Sequence, residues 1–252
     1  MPSRIAVEKQ PYTCADCGET HEYIRIGFEA SAFGGYRRKI CACERNRERQ
    51  REAAEVESKR LARVAYCEEH SHLVGKLSYM TLDGMEMVPG IKEAIRRAKQ
   101  FIVKQDEGLI LSGDNGCGKT TIAASIGNAL VEKAVRVEFW TGFDLLDRIR
   151  RTYDDSSENE TDIVEKLARL DLLIYDDLGN ERIAHDDRGD WAREKLFRIF
   201  YWRDIYQRPV IITTNYTVPQ LIEKVGKATM SRLLGMCGQP VKITAPDYRL
   251  RG

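Results

Sequence analysis

Eight consecutive residues, Gly113-Asp114-Asn115-Gly116-Cys117-Gly118-Lys119-Thr120, leave few folds open to this chain. The glycines disfavour both strand and helix here, so the stretch must be a loop whose backbone bends where side chains cannot follow. GLILSG before it reads as a short buried strand, and the run from about Lys119 to Lys133 after it reads as a helix. A Gly-rich turn between strand and helix points its N–H groups, and the positive end of the helix, at one place where a polyphosphate can be held. With glycine near 7% of average usage, a chance Gly-x-x-x-x-Gly-Lys-Thr in a chain this long is on the order of 1%. The spacing therefore predicts a phosphate loop that wraps a nucleoside triphosphate with residues Gly113 to Thr121. Lys119 would neutralise the β and γ oxygens, and Thr120 would hold Mg2+.

Alternation extends this loop into a domain. IKEAIRRAKQFI has helical periodicity, and the strands RVEFW, DLLIYDD and PVIITTN alternate with helical GFDLLDRIRR, TDIVEKLARL and WAREKLFRIFYWRDIY. A last helix and a strand ending in VKIT complete the series. Five apolar strands separated by helices predict an α/β fold, a parallel five-stranded sheet covered by helices on both faces. The polar stretch DDSSENETD is expected to be a surface loop. LLIYDD ends in two carboxylates, and Asp176 follows Lys119 by 57 positions. Paired aspartates after a strand often only cap a turn or a helix. Behind a phosphate loop they predict chemistry, with Asp176 holding Mg2+ through water and Asp177 polarising the attacking water.

The front of the chain is different. Residues 1–45 are rich in turn formers and carry four of the seven cysteines, as Cys14-x-x-Cys17 and Cys41-x-Cys43. An odd cysteine count argues against a disulfide framework, and so small a segment has too little apolar mass to fold unaided. Four thiolates at this spacing suit a structural Zn2+, with free buried thiols as the alternative. His21 and His70 could replace a thiolate but lack the tight spacing. Residues 46–75 follow as a charged helical linker, and 76–252 as the nucleotide-binding domain. Between Tyr36 and Ala65 there are ten Lys or Arg against five Asp or Glu, whereas the whole chain has 40 against 39. Attraction to nucleic acid would thus have to be local. No apolar leader follows Arg4 and no run is long enough to cross a membrane, so the expected location is the cytoplasm, without membrane partners.

From about Met80 to Arg251 the chain resembles AAA+ ATPases of the DnaC- and DnaI-type replicative helicase loaders, together with IstB-type transposition helpers. The resemblance is carried by GLILSGDNGCGKT, VEFWTGFDLLDRIR, LLIYDDLGNE, IITTNY, SRLLG and DYRLR in that order. It implies slow, Mg2+-dependent ATP hydrolysis, since many AAA+ proteins have Glu where Asp177 stands. Asn215 would be the polar sensor between the γ-phosphate and water, with Thr214 next in line. Arg232 would be an arginine finger acting on a neighbouring subunit, which requires a homo-oligomer, and Arg249 or Arg251 would sense nucleotide. The cysteine module looks like that of DnaI-type loaders, so the implied partners are a DnaB-type hexameric helicase and single-stranded DNA. Two alternatives stand beside this reading: an IstB-type helper that binds duplex DNA, and a non-hydrolysing adaptor ordered by ATP.

Overall fold

In the computed structural model the described residues are 10–26, 35–38, 40–153, 159–181 and 187–250. Backbone contacts divide the chain into two compact units, Met1–Leu61 and Ala62–Gly252.

The first unit holds two antiparallel pairs that the sequence pattern does not announce. Strands β1 (Tyr12–Thr13) and β2 (Thr20–His21) pair Tyr12 with His21, and β3 (Tyr23–Ile26) and β4 (Gly35–Arg38) pair Tyr23 with Arg38. The turn between β1 and β2 is closed by Gly18 N donating to Cys14 O at 2.9 Å, with Gly18 at φ 71, a conformation that favours glycine. Helix α1 (Ala42–His70) then starts between Cys41 and Cys43, and the division between the units falls within it. Its charge pattern supplies local support, with Glu55 and Lys59 paired at 2.6 Å and Glu57 and Arg60 at 2.8 Å.

The second unit is the α/β domain. Helix α2 (Lys92–Lys104) leads into β5 (Leu109–Gly113), α3 (Lys119–Val131), β6 (Val137–Thr141), α4 (Gly142–Arg151), α5 (Glu160–Arg169) and β7 (Leu172–Asp176). After these come α6 (Asp187–Ile205), β8 (Val210–Thr214), α7 (Val218–Val225), α8 (Lys227–Cys237) and β9 (Val241–Ile243). The five strands lie in the order β6-β7-β8-β5-β9, and every pairing is parallel. Side chains alternate across the sheet as a period of two demands. Leu109, Leu111, Ile174 and Ile211 join α2 and α3 in one core, and Ile110, Leu173, Tyr175 and Ile212 join α4 to α8 in the other. Both faces are buried, which is why these strands read as nearly unbroken apolar runs.

Two expectations are corrected. The segment expected as one last helix is two, because Gly226 at φ 90 ends α7 and precedes α8. Helix α5 starts at Glu160, one residue ahead of the expected run TDIVEKLARL, because Asn159 accepts from the N–H of Asp162 at 2.9 Å and caps it, while 154–158 lie outside the described residues.

Candidate functional site

The loop from Gly113 to Lys119 leaves the C-terminal end of β5, the edge at which parallel sheets gather ligands. Gly116 (φ 71) and Gly118 (φ 98) use left-handed backbone. At Gly116 close approach adds a second demand, since a Cβ there would stand 1.7 Å from Oδ1 of Asp247. Lys119 is buried, and its Nζ donates to the carbonyls of Gly113 at 2.9 Å and Asp114 at 2.8 Å. Cys117 is buried beneath the loop, which pushes its thiol pKa up.

Because β8 runs between β5 and β7, its end meets both the phosphate loop and the paired aspartates. Thr213, fully buried, donates from Oγ1 to Asp176 Oδ1 at 2.6 Å and accepts the backbone N–H of Asp177 at 2.9 Å. From the other side Thr120 Oγ1 donates to both Asp176 oxygens, at 3.0 and 3.1 Å. Burial pushes the Asp176 pKa above the ordinary carboxylate value, aided by the charge of Asp177. The hydrogen bonds from Thr213 and Thr120 pull the other way. Asp177 is half-buried at φ 62, a left-handed conformation that aspartate tolerates better than most residues. Such strain is found where surrounding structure over-determines it, here through the Thr213 hydrogen bond.

The remaining sequence candidates separate. Thr214 is committed, donating to Leu178 O at 2.7 Å and accepting from Tyr216 N at 3.1 Å. Asn215 carries a buried Oδ1 with no hydrogen-bond partner among the described residues, and buried amides seldom remain so. Arg232 is not in the phosphate-loop cleft: its Nη1 donates to Asp204 Oδ2 at 2.8 Å and its guanidinium lies 4.5 Å from the Tyr201 ring centroid. Arg249 does line the cleft, whereas Arg251 lies outside the described residues.

That cleft has a volume of about 470 Å3 and brings together Asn115, Gly116, Lys119, Thr120, Thr121 and Asp177. Its far wall was not legible in the sequence. Leu77, Met80 and Met85 form it, and Asn128 on α3 anchors it by donating from Nδ2 to the carbonyls of Leu77 and Met80, both at 2.8 Å. Glu181 was also missed. It is buried, accepts from Tyr175 Oη at 2.6 Å and Gly179 N at 2.7 Å, and has its pKa raised by that burial. A carboxylate four positions beyond Asp177 was the available signal.

In the first unit, the sulfurs of Cys14, Cys17, Cys41 and Cys43 all lie within 4.8 Å of one another, and those of Cys17 and Cys41 are 3.5 Å apart. Tetrahedral thiolates about 2.3 Å from Zn2+ stand roughly 3.8 Å from each other, so the cluster fits the metal. The backbone N–H of Cys43 points at Cys41 Sγ at 3.4 Å. His21 offers a nitrogen near Cys17 and Cys41 as well. In the second unit, the hydroxyl of Thr120 and carboxylate of Asp176 are hard oxygen donors of the kind Mg2+ takes.

Sheet order, phosphate loop and paired aspartates together define a P-loop nucleotide-binding protein with an AAA+ fold. Residues 55–252 match the family described as IstB-like ATP binding protein, and the chain belongs to that family. The replicative helicase loader DnaC of Escherichia coli (strain K12) is 25% identical over 147 residues, 57% of this chain and 58% of that protein. A protein of the insertion sequence IS232 from Bacillus thuringiensis subsp. berliner is 28% identical over 155 residues, 59% of this chain and 58% of its own length. The chain thus spans about three-fifths of these relatives. Among solved structures, the DnaC helicase loader superposes with a TM-score of 0.59 at 24% identity over 68% of this chain and 99% of that one. DnaI superposes at 0.56 with 22% identity over 71% of this chain and 95% of that one. Among the described residues no helix is long and apolar enough to cross a membrane.

Proposed function

We propose that this chain is an ATP-controlled loader that binds a DnaB-type hexameric helicase and delivers it onto single-stranded DNA in the cytoplasm. The observation that carries the reading is a nucleotide cluster of Lys119, Thr120, Asp176, Asp177 and Thr213 in a chain that also brings four cysteines together. The similarity to DnaC supports the choice of partner.

In this reading Lys119 leaves its loop carbonyls to neutralise the β and γ oxygens, while Thr120 and Asp176 hold Mg2+, which supplies Lewis-acid stabilisation of the transferred phosphoryl group. Asp177 accepts the proton of the attacking water, and Asn215 orients that water through its amide. The carboxylate of Asp177 reaches one bond less far than glutamate would, so turnover is slow and acts as a switch. Cys14, Cys17, Cys41 and Cys43 hold a structural Zn2+ that folds the helicase-contacting module, and Arg232 acts across a homo-oligomer interface.

The test is reconstitution. The purified chain, a DnaB-type hexamer and single-stranded DNA are combined with Mg-ATP or Mg-ADP and resolved by size exclusion. A complex that forms in one nucleotide state and releases helicase on DNA in the other is expected. The similarity to the IS232 protein favours a second reading, a transposition helper. ATP-dependent binding to duplex DNA, with no helicase complex in either state, would decide for that reading and against the first.

A further inference from the structure

After β9 the chain turns back across the phosphate loop. Thr244 N donates to Gly90 O at 3.2 Å, Tyr248 N to Gly116 O at 3.1 Å, and Tyr248 Oη to Glu86 O at 3.0 Å. This strap therefore ties the loop to the wall that faces it. At Gly90 the approach is so close that a Cβ would stand 2.3 Å from Thr244 Oγ1. Tyr248 and Met85 meet above Gly118, 3.6 and 3.2 Å from where its Cβ would be.

The lining of the cleft is chemically divided. Lys119, Thr120 and Asp177 are suited to phosphate, metal and water, with Lys76 and Arg249 as further cations, whereas Leu77, Met80 and Met85 offer nothing to a phosphate and the Tyr248 hydroxyl is committed to Glu86 O. Together they offer much to a flat, weakly polar ring, since stacking and soft thioether contact both favour a nucleobase. Among the described lining residues Tyr248 is the single aromatic ring, and its hydroxyl bond to Glu86 O holds the long axis of the ring in place in advance. A preset ring needs little ordering when ligand arrives.

We infer that Tyr248 is the base-stacking residue of the nucleotide site, and that the strap of residues 244–250 closes its base end. The inference rests on the phosphate-loop cleft being the ATP site, and its ligand class is a purine nucleoside triphosphate. Affinity gained at the base is separate from affinity gained at the phosphates, so the two can be measured apart.

The experiment is calorimetric titration of the full chain with Mg-ATP and, separately, with Mg-tripolyphosphate, which has the phosphates and no base. Tyr248→Ala is expected to weaken ATP on the order of tenfold to a hundredfold, the range of base–aromatic stacking. Its affinity for tripolyphosphate should stay within about twofold of the parent, because the phosphate contacts come from the loop and Lys119. Tyr248→Phe keeps the ring and should lose only a few-fold. Should Tyr248→Ala not fold, Tyr248→Leu carries the same expectation, with apolar volume but no ring. Parental ATP affinity in the ringless variant overturns the inference, as does equal loss of both ligands, which would make the strap a support for the loop. A parent that binds neither ligand, or a Lys119→Ala variant that still binds ATP normally, overturns the underlying site reading instead.

Discussion

Thr213→Val replaces one hydroxyl by a methyl at the centre of the site and nearly preserves shape. The lost hydroxyl makes two bonds at once, donating to Asp176 at 2.6 Å and accepting from Asp177 N at 2.9 Å. A bond to a carboxylate is worth about 1.5–3 kcal/mol net, and the Asp177 N–H, left without its acceptor in a poorly hydrated place, costs about 1–3 kcal/mol. Thr120 still donates to the same carboxylate, so the lower half of the sum applies, about 3 kcal/mol. Thr213→Ser is the control. It keeps the hydroxyl and removes one buried methyl, for about 1 kcal/mol. All three tryptophans, Trp140, Trp191 and Trp202, lie in the unit Ala62–Gly252, so their fluorescence during urea unfolding reports that unit. With a slope of about 2 kcal/mol per molar urea, the midpoint should fall by about 1.5 M for valine and 0.5 M for serine. ATP turnover should fall about 10–100-fold in valine alone, because Asp176 loses the partner that aims it. If valine proves no more damaging than serine, in stability or in turnover, the hydroxyl does not organise the site and the reasoning fails.

Lys119→Ala should abolish ATP binding and hydrolysis together, whereas Asp177→Asn should bind ATP and not turn it over, as filter binding and phosphate release will measure. Parental turnover in Asp177→Asn would show that another group is the base. Elemental analysis should find about one zinc per chain, and Cys41→Ser should lose the metal and unfold the first unit while the tryptophan-reported transition stays put; less than half an equivalent argues for free thiols. Burial alone would raise the pKa of Asp171, but the hydrogen bond and charge of Arg136 and the charge of Arg208 outweigh it and hold the carboxyl below its ordinary 3.8. Its folded pKa is therefore depressed, so its stabilisation is present above the unfolded value and is lost as pH falls through the folded one. Asp171→Asn should flatten the acid limb of stability below about pH 4 and lower the plateau above it, and an unchanged acid limb rejects the assignment.

Features that depend on local backbone demands were legible. The phosphate loop needs glycines at set places, and the strands at the centre of a parallel sheet need apolar side chains on both faces, so both leave patterns in consecutive residues. Asp176 was legible because it ends such a strand. Features made by tertiary contact were not. The two-residue strands β1 and β2 are too short for any period to show, and their order comes from the turn between Cys14 and Gly18. Thr213 looked like one more β-branched strand residue, and only the strand order places it against Asp176 and Asp177. Tyr248 stands far from Leu77 and Met85 in sequence, and only the fold brings it to their side of the cleft. The break at Gly226 was visible as a glycine, but a lone glycine in a helical run does not say whether it interrupts the helix.

Arg232 is where sequence expectation and structure must be weighed by energy. Its partner in this chain, Asp204, is 2.8 Å away, and the two side chains are 29% and 39% exposed. An ion pair so open to water is worth about 0.2–1 kcal/mol, and stacking on Tyr201 adds about 0.5–1 kcal/mol at an exposed site. The Phe197 ring, 5.5 Å from the guanidinium, adds a similar amount, so leaving this cradle costs about 3 kcal/mol at the upper end. An arginine finger contributes 10³–10⁵ in rate, or about 4–7 kcal/mol at the transition state. If Arg232 acts as such a finger, the Asp204 contact is a resting position that the transition-state gain would outweigh. A structural cap and a trans finger then differ in what mixing does. An Asp177→Asn subunit has a dead site and an intact finger, and an Arg232→Ala subunit has an intact site and no finger. Combined, they should recover part of the parental turnover at mixed interfaces, and Asp204→Ala, which frees the finger, should not lower turnover. Demonstrated co-assembly without recovery, together with equal stability losses in Arg232→Ala and Asp204→Ala, would leave Arg232 holding α8 to α6 and nothing more.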